Sequence, residues 1–148
     1  MVNHVSGDFT VRAGDVRLQV RGLTRTLQAM DKAGADAQEM RKLMHELGMI
    51  VVRKAKAIAP RGENRKLLKT IRAGRGKTKA VVRAGSRAVP YAGITHYGTP
   101  PGYHRPANRR PLPIKANEYL VKALQSTQDE VYTKLIQGIS DILDKNGL

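Results

Sequence analysis

One apolar stripe, running through residues 36–58 of the 148-residue chain, limits the possible folds more than any other feature. Met40, Leu43, Met44, Leu47, Ile50, Val51, Ala55 and Ile58 recur at the three- and four-residue spacing of a single helix face. Glu39, Arg41, Lys42, Glu46 and Arg53 mostly fall off that face, so the pattern predicts an amphipathic helix with one buried side. Pro60 sets its end, because a proline pushes the residue before it out of helical geometry. The methionines on the stripe read as gap-filling core rather than as ligands.

A second helical pattern runs from Ile114 to Lys145 through Ala116, Leu120, Leu124, Val131, Leu135, Ile139 and Ile142. Continuous, it would span about 48 Å, more than a small domain needs, and a kink near Ser126–Thr127 is the expectation. Between and before these helices lie shorter runs. Residues 1–13 read as an arm or a first strand. DVRLQVRGL, from Asp15, alternates Val16, Leu18 and Val20 on one face until Gly22 breaks it. Thr24 to Lys32 predicts a short helix stopped by AGA at 33–35. LLKTIRA and KAVVRAGS, joined by a Gly-containing turn, predict a β-hairpin, and Val89 to Tyr97 a third strand. The expected fold is α+β: one domain over 1–148, with a small antiparallel sheet packed against a central helix and a long C-terminal helix.

Composition narrows the function classes. There is no Cys, which excludes disulfides and thiolate metal sites, and with no Trp and one Phe the core must be aliphatic and Met. No apolar run approaches the roughly 18 residues of a membrane span, and MVNHVSGDFT lacks a signal-peptide pattern, so a soluble protein is expected. The net charge is +15, and it is unevenly placed: residues 64–117 hold thirteen Lys or Arg and no acid, while all twelve acids lie outside. Such asymmetry suggests an anionic partner, whether nucleic acid, a phosphate-rich surface or an acidic protein face. Arg65, Lys66, Lys69, Arg72, Arg75, Lys77, Lys79 and Arg83 are the candidate phosphate or acidic-surface contacts. Neither stacking aromatics nor a helix-turn-helix or zinc-finger pattern accompanies them, so binding of nucleic acid would be blind to sequence.

Signals for catalysis are weak. GRGKT at 74–78 resembles the end of a P-loop, but Ile71 stands where the first Gly belongs and a strand, not a helix, follows. His4, His45, His96 and His104 have no cysteine among them, and no carboxylate lies near His96 or His104 in sequence. The long irregular stretch 98–113 has no acid for paired-carboxylate hydrolysis, and no nucleophile elbow surrounds Ser86. No enzyme activity, cofactor or metal is expected.

The order of several short motifs carries a resemblance. AKAIAP (55–60) ends a helix, LLKTI (67–71) follows, VPYAGITHYGT (89–99) runs into an aromatic-Gly-Thr, and RPA (105–107) precedes the last helix. Over roughly residues 36–145 this resembles the neck or tail-completion family of long-tailed double-stranded DNA bacteriophages. The chain departs from the family pattern in two places. RGENRK stands where a Thr-Gly is usual, and His96 stands where a Glu usually precedes the aromatic-Gly-Thr.

The resemblance implies a structural virion protein at the head–tail interface, assembled in the host cytoplasm as a hexameric ring. Its implied neighbours are head-closure and tail-terminator or tail-tube proteins, with non-specific proximity to genomic DNA and no membrane. Residues 98–113 would then be an extended basic docking loop, stiffened by Pro100, Pro101, Pro106, Pro111 and Pro113, with Gly98 at a positive φ. Tyr91, Tyr97, Gly98, Thr99, Tyr103, Arg105, Pro106, Arg109 and Arg110 are the implied subunit or partner contacts. The alternative function is a stand-alone basic protein that binds nucleic acid without sequence preference.

Overall fold

Asp36 opens the central helix as the sequence requires. Its side-chain Oδ1 accepts from the backbone N–H of Gln38 at 2.8 Å and of Glu39 at 3.4 Å, covering donors that a helix start leaves unpaired. The computed structural model describes residues 6–12, 15–21, 24–60, 65–89, 91–98 and 116–148. Within them the elements run β1 (Ser6–Arg12), β2 (Asp15–Arg21), α1 (Thr24–Lys32), α2 (Ala37–Ile58), α3 (Lys66–Thr70), β3 (Arg72–Ala73), β4 (Ala80–Ala84), α4 (Ala92–Tyr97) and α5 (Tyr119–Asn146). The fold is α+β, as the sequence predicts.

The four strands form one antiparallel sheet in the order β1-β2-β4-β3. Val16 pairs with Ala84 and Leu18 with Val82, and all four are fully buried. That places one face of the sheet under α2, where Gly48 sits over Ala73 of β3. A Cβ on Gly48 would come within 2.7 Å of the Ala73 Cβ, so the backbone approach depends on glycine.

Helices α2 and α5 pack antiparallel. Lys145 pairs with Glu39 at 2.8 Å, Gly138 lies against Leu43, and Lys134 pairs with Glu46 at 3.0 Å. Beside the Lys145–Glu39 pair the Asp36 backbone N–H donates to Asn146 Oδ1 at 3.2 Å. Between these rows the stripe of α2 meets Val131, Leu135, Ile139 and Ile142, all buried, in one core cluster. The exposed ion pairs contribute little each; the apolar seam holds the two helices.

Three expectations are corrected. Residues 92–97 form helix α4 rather than a strand. Thr95 and His96 are both buried, a pattern that alternation forbids, and the Thr95 N–H donates to the Tyr91 carbonyl at 2.9 Å. Residues 66–70 form helix α3, and only Arg72–Ala73 pairs with β4, so the expected hairpin is two residues long on that side. Leu67 and Ile71 are buried one helical turn apart, and Thr70 closes the turn by donating to the Leu67 carbonyl at 2.7 Å. Finally, α5 is one helix of 28 residues, about 42 Å long, that continues through Ser126–Thr127. Both hydroxyls donate back to the Ala123 carbonyl, at 3.1 and 2.7 Å, and so are satisfied without breaking the helix.

Helix α5 also starts at Tyr119 rather than 114, because Glu118 takes a left-handed conformation at φ 54°. Among the described residues no helix is long and apolar enough to cross a membrane.

Candidate functional site

Two regions collect the residues that the sequence singles out. The first is the junction of α4 and α5. The N–H of Asn117 donates to the Thr95 carbonyl at 3.1 Å, and that of Glu118 to the His96 carbonyl at 2.8 Å. These bonds take up carbonyls at the C-terminal end of α4, which a helix end leaves unpaired. They also bring the described residues on either side of 99–115 together at one place.

Gly98 is buried and has φ 82°, the positive value expected of it. Tyr91 is half-buried against the core, and Tyr97 is 38% exposed at the end of α4. Thr99, Tyr103, Arg105, Pro106, Arg109 and Arg110 lie outside the described residues, as do the prolines from Pro100 to Pro113 and His104.

His96 lies at the centre of this junction, fully buried. Its ring meets Tyr97 edge-on at 4.6 Å and Tyr119 at 4.9 Å between centroids. Tyr119 is also fully buried, and its hydroxyl donates to the Ala92 carbonyl at 3.1 Å, tying α5 to the first residue of α4. Burial lowers the His96 pKa to about 4, so the ring is neutral at pH 7. Burial, and then the nearby Tyr97, raise the Tyr119 pKa well above the ordinary tyrosine value. The sequence singles out His96 as a metal-ligand candidate and as a departure from a family pattern; its place in the core is not visible there.

The second region is the sheet face turned away from α2. Arg17 follows buried Val16 and precedes buried Leu18, so it points outward; Arg83, between buried Val82 and Ala84, does the same. Arg17 pairs with Arg83 in register, and Arg83 with Arg72. Three arginines therefore stand side by side across β2, β4 and β3, in a row about 10 Å long at the usual strand spacing. Arg72 is held in place: its Nη1 donates to the Thr70 carbonyl at 2.7 Å and the Gly85 carbonyl at 2.9 Å. Arg17 is half-buried and has a contact of its own.

Of the other candidate cations, Arg65, Lys66, Lys69, Arg75 and Lys79 are exposed. Lys77 is instead tied to Asp31 at 3.1 Å, which fixes the loop 74–79 to α1 and leaves it less suited to a ligand. That loop joins two strands of the sheet, and the Gly74 N–H donates to the Val81 carbonyl at 2.8 Å, so it lacks the strand-to-helix context of a P-loop. Arg17 was absent from the sequence-based set, because only the strand order brings it beside Arg83.

His45 is half-buried, with Nδ1 3.4 Å from the Gly74 carbonyl oxygen. Among the described residues no group of three or more His, Asp or Glu is placed to hold a metal ion. Comparison of the chain with protein-family models, with curated proteins and with solved structures finds no match.

Proposed function

We propose that this chain is a structural protein of a phage neck, completing the tail and joining it to the DNA-filled head as one subunit of a hexameric ring. The order of the AKAIAP, LLKTI, VPYAGITHYGT and RPA motifs supports the reading. The observation that carries it is the clamp at the α4–α5 junction. The residues flanking the basic, proline-rich segment are fixed by two backbone hydrogen bonds to the end of one helix. A segment anchored in this way at both ends can engage a neighbour without altering the fold that presents it. Arg105, Arg109 and Arg110 lie in that segment with no acid between residues 64 and 117. Their counter-charges come from outside that stretch, and a guanidinium fork suits carboxylates on a neighbouring subunit.

On this reading the ring contacts head-closure proteins on one side and tail-terminator or tail-tube proteins on the other. Work of this kind is positional, and no catalytic step is assigned to any residue. The virion is the place of action, after assembly in the host cytoplasm.

The test is an in vitro joining assay run beside a thermal melt. Arg105→Ala combined with Arg109→Ala is expected to leave stability within about half a kcal/mol of the parent, as surface substitutions do. The same double variant is expected to leave filled heads and separate tails. Normal joining with a lowered melting point would mean that the segment braces its own fold, and the docking role would be lost.

A further inference from the structure

We propose that the outer face of the β2–β4–β3 sheet binds the phosphate backbone of duplex nucleic acid, with Arg83 at its centre and Arg72 and Lys79 beside it. The inference concerns the isolated subunit and does not depend on the neck reading.

Like charges directly opposite each other on neighbouring strands destabilise a sheet, and stable sheets place opposite charges or apolar pairs there. Here Arg17, Arg83 and Arg72 occupy consecutive cross-strand positions. Arg83 is exposed, and no carboxylate among the described residues pairs with it. The repulsion between Arg83 and Arg72 is relieved when an anion lies over the two. Arg72 is already oriented by its two carbonyl bonds through Nη1, which leaves the other donors of the guanidinium for a ligand. Lys79, exposed and one residue before β4, extends the cationic face by strand alternation.

The kind of anion follows from what the face lacks. Protein–protein hot spots centre on buried aromatic or large apolar anchors, yet the described side chains of this face offer only half-buried Val81 among the cations. Single-stranded nucleic acid is held by stacking on aromatic rings, and none of β2, β3 and β4 carries an aromatic residue. A duplex asks for neither. It carries about one charge per 1.7 Å of axis, so about six phosphate charges lie over a row of roughly 10 Å. Contacts of this type are blind to sequence and sensitive to salt.

Fluorescence anisotropy of the full chain with a labelled duplex DNA of arbitrary sequence tests the proposal. With about three phosphates engaged, affinity is expected to fall about 40-fold between 50 and 200 mM salt, and to remain no better than about 10⁻⁶ M at physiological salt. Arg83→Gln is expected to reduce the slope of log affinity against log salt by about 0.9, one phosphate contact. Arg72→Lys keeps the charge but loses the fork and its two anchors, and a several-fold weakening is expected. Arg53→Gln, which removes one exposed charge from α2, should change neither value beyond the loss of net charge. Equal effects of Arg53→Gln and Arg83→Gln on the slope would reduce the result to bulk charge and overturn the site. So would no binding at 50 mM salt. Displacement of the duplex by polyglutamate at equal charge concentration would assign the face to an acidic protein instead. A duplex RNA in place of the DNA should bind comparably, since only the backbone is read; binding confined to one of them would exclude simple backbone recognition. Arg83→Gln breaks no hydrogen bond among the described residues, so its outcome decides the matter even if Arg72→Lys weakens the fold.

Discussion

Leu47→Ala is expected to destabilise the protein by about 2–5 kcal/mol, the range for truncating a buried leucine. Leu47 is 2% exposed in the middle of α2, one residue before the glycine that sits over β3. It belongs to the core cluster shared by α2, the sheet and α5, so the cavity opens where these layers meet. Neighbours that close part of the gap would bring the cost toward the lower end of that range. Gly48 cannot help from α2, because the helix already rests on Ala73 there. A urea titration monitored by circular dichroism checks the value, with Arg53→Ala on the exposed side of α2 as the comparison. The comparison variant is expected to stay within about half a kcal/mol of the parent. A Leu47→Ala loss no larger than that would mean that the stripe does not form the core.

Helix α2 was legible in the sequence for physical reasons that hold elsewhere in the chain. Its 22 residues give the apolar spacing several turns in which to repeat, and Asp36 and Pro60 mark ends that local chemistry alone dictates. Strands β2 and β4 were legible because each buries one face, leaving Val16 and Leu18, or Val82 and Ala84, at alternate positions. Helix α4 was not. Its six residues are too few to form a helix unaided, and Ile94, Thr95 and Tyr97 favour strands by propensity. Burial on several sides, with Ala92, Thr95 and His96 all inside, erases the periodicity that a half-buried helix would display. Helix α3 is shorter still, and LLKTI fits a strand as readily as a helical turn until Thr70 and Gly85 are brought together, where the Gly85 N–H donates to Thr70 Oγ1 at 2.8 Å.

The candidate sites divide along the same line. The basic character of Arg72 and Arg83 is plain in the composition of residues 64–117. Their alignment with Arg17 is not, since Arg17 and Arg72 are 55 positions apart (72 − 17) and meet only through the strand order β1-β2-β4-β3. Likewise Tyr97-Gly98 could be read as a corner from the glycine alone. The clamp behind it depends on Asn117 and Glu118 finding the carbonyls of Thr95 and His96, a pairing no local pattern encodes.

The buried His96 ring beside that clamp makes the fold sensitive to acid. His96 has its folded pKa lowered from 6.5 to about 4 by burial, so between those values the unfolded chain binds a proton that the folded chain does not. Stability from this source is therefore fully present above about pH 6.5 and falls as the pH drops toward 4. Over that interval the 2.5-unit difference (6.5 − 4) corresponds to a loss of about 3 kcal/mol. Carboxylates elsewhere titrate in part of the same range, so the comparison must be differential. His96→Gln removes the titrating group while retaining a polar side chain of similar size. It is expected to lower stability at pH 7.5, where it disturbs the contacts with Tyr97 and Tyr119. Between pH 6.5 and 4, however, the parent should lose about 3 kcal/mol more than the variant, so their denaturation midpoints converge. Parallel loss in both proteins would place the acid-sensitive group elsewhere. Hydrogen exchange locates the effect: protonation opposes the packing of His96 between Tyr97 and Tyr119, so the amides of Asn117 and Glu118 should lose protection before those of α2. Loss that begins in α2 would mean that acid unfolds the core directly, without passing through the junction.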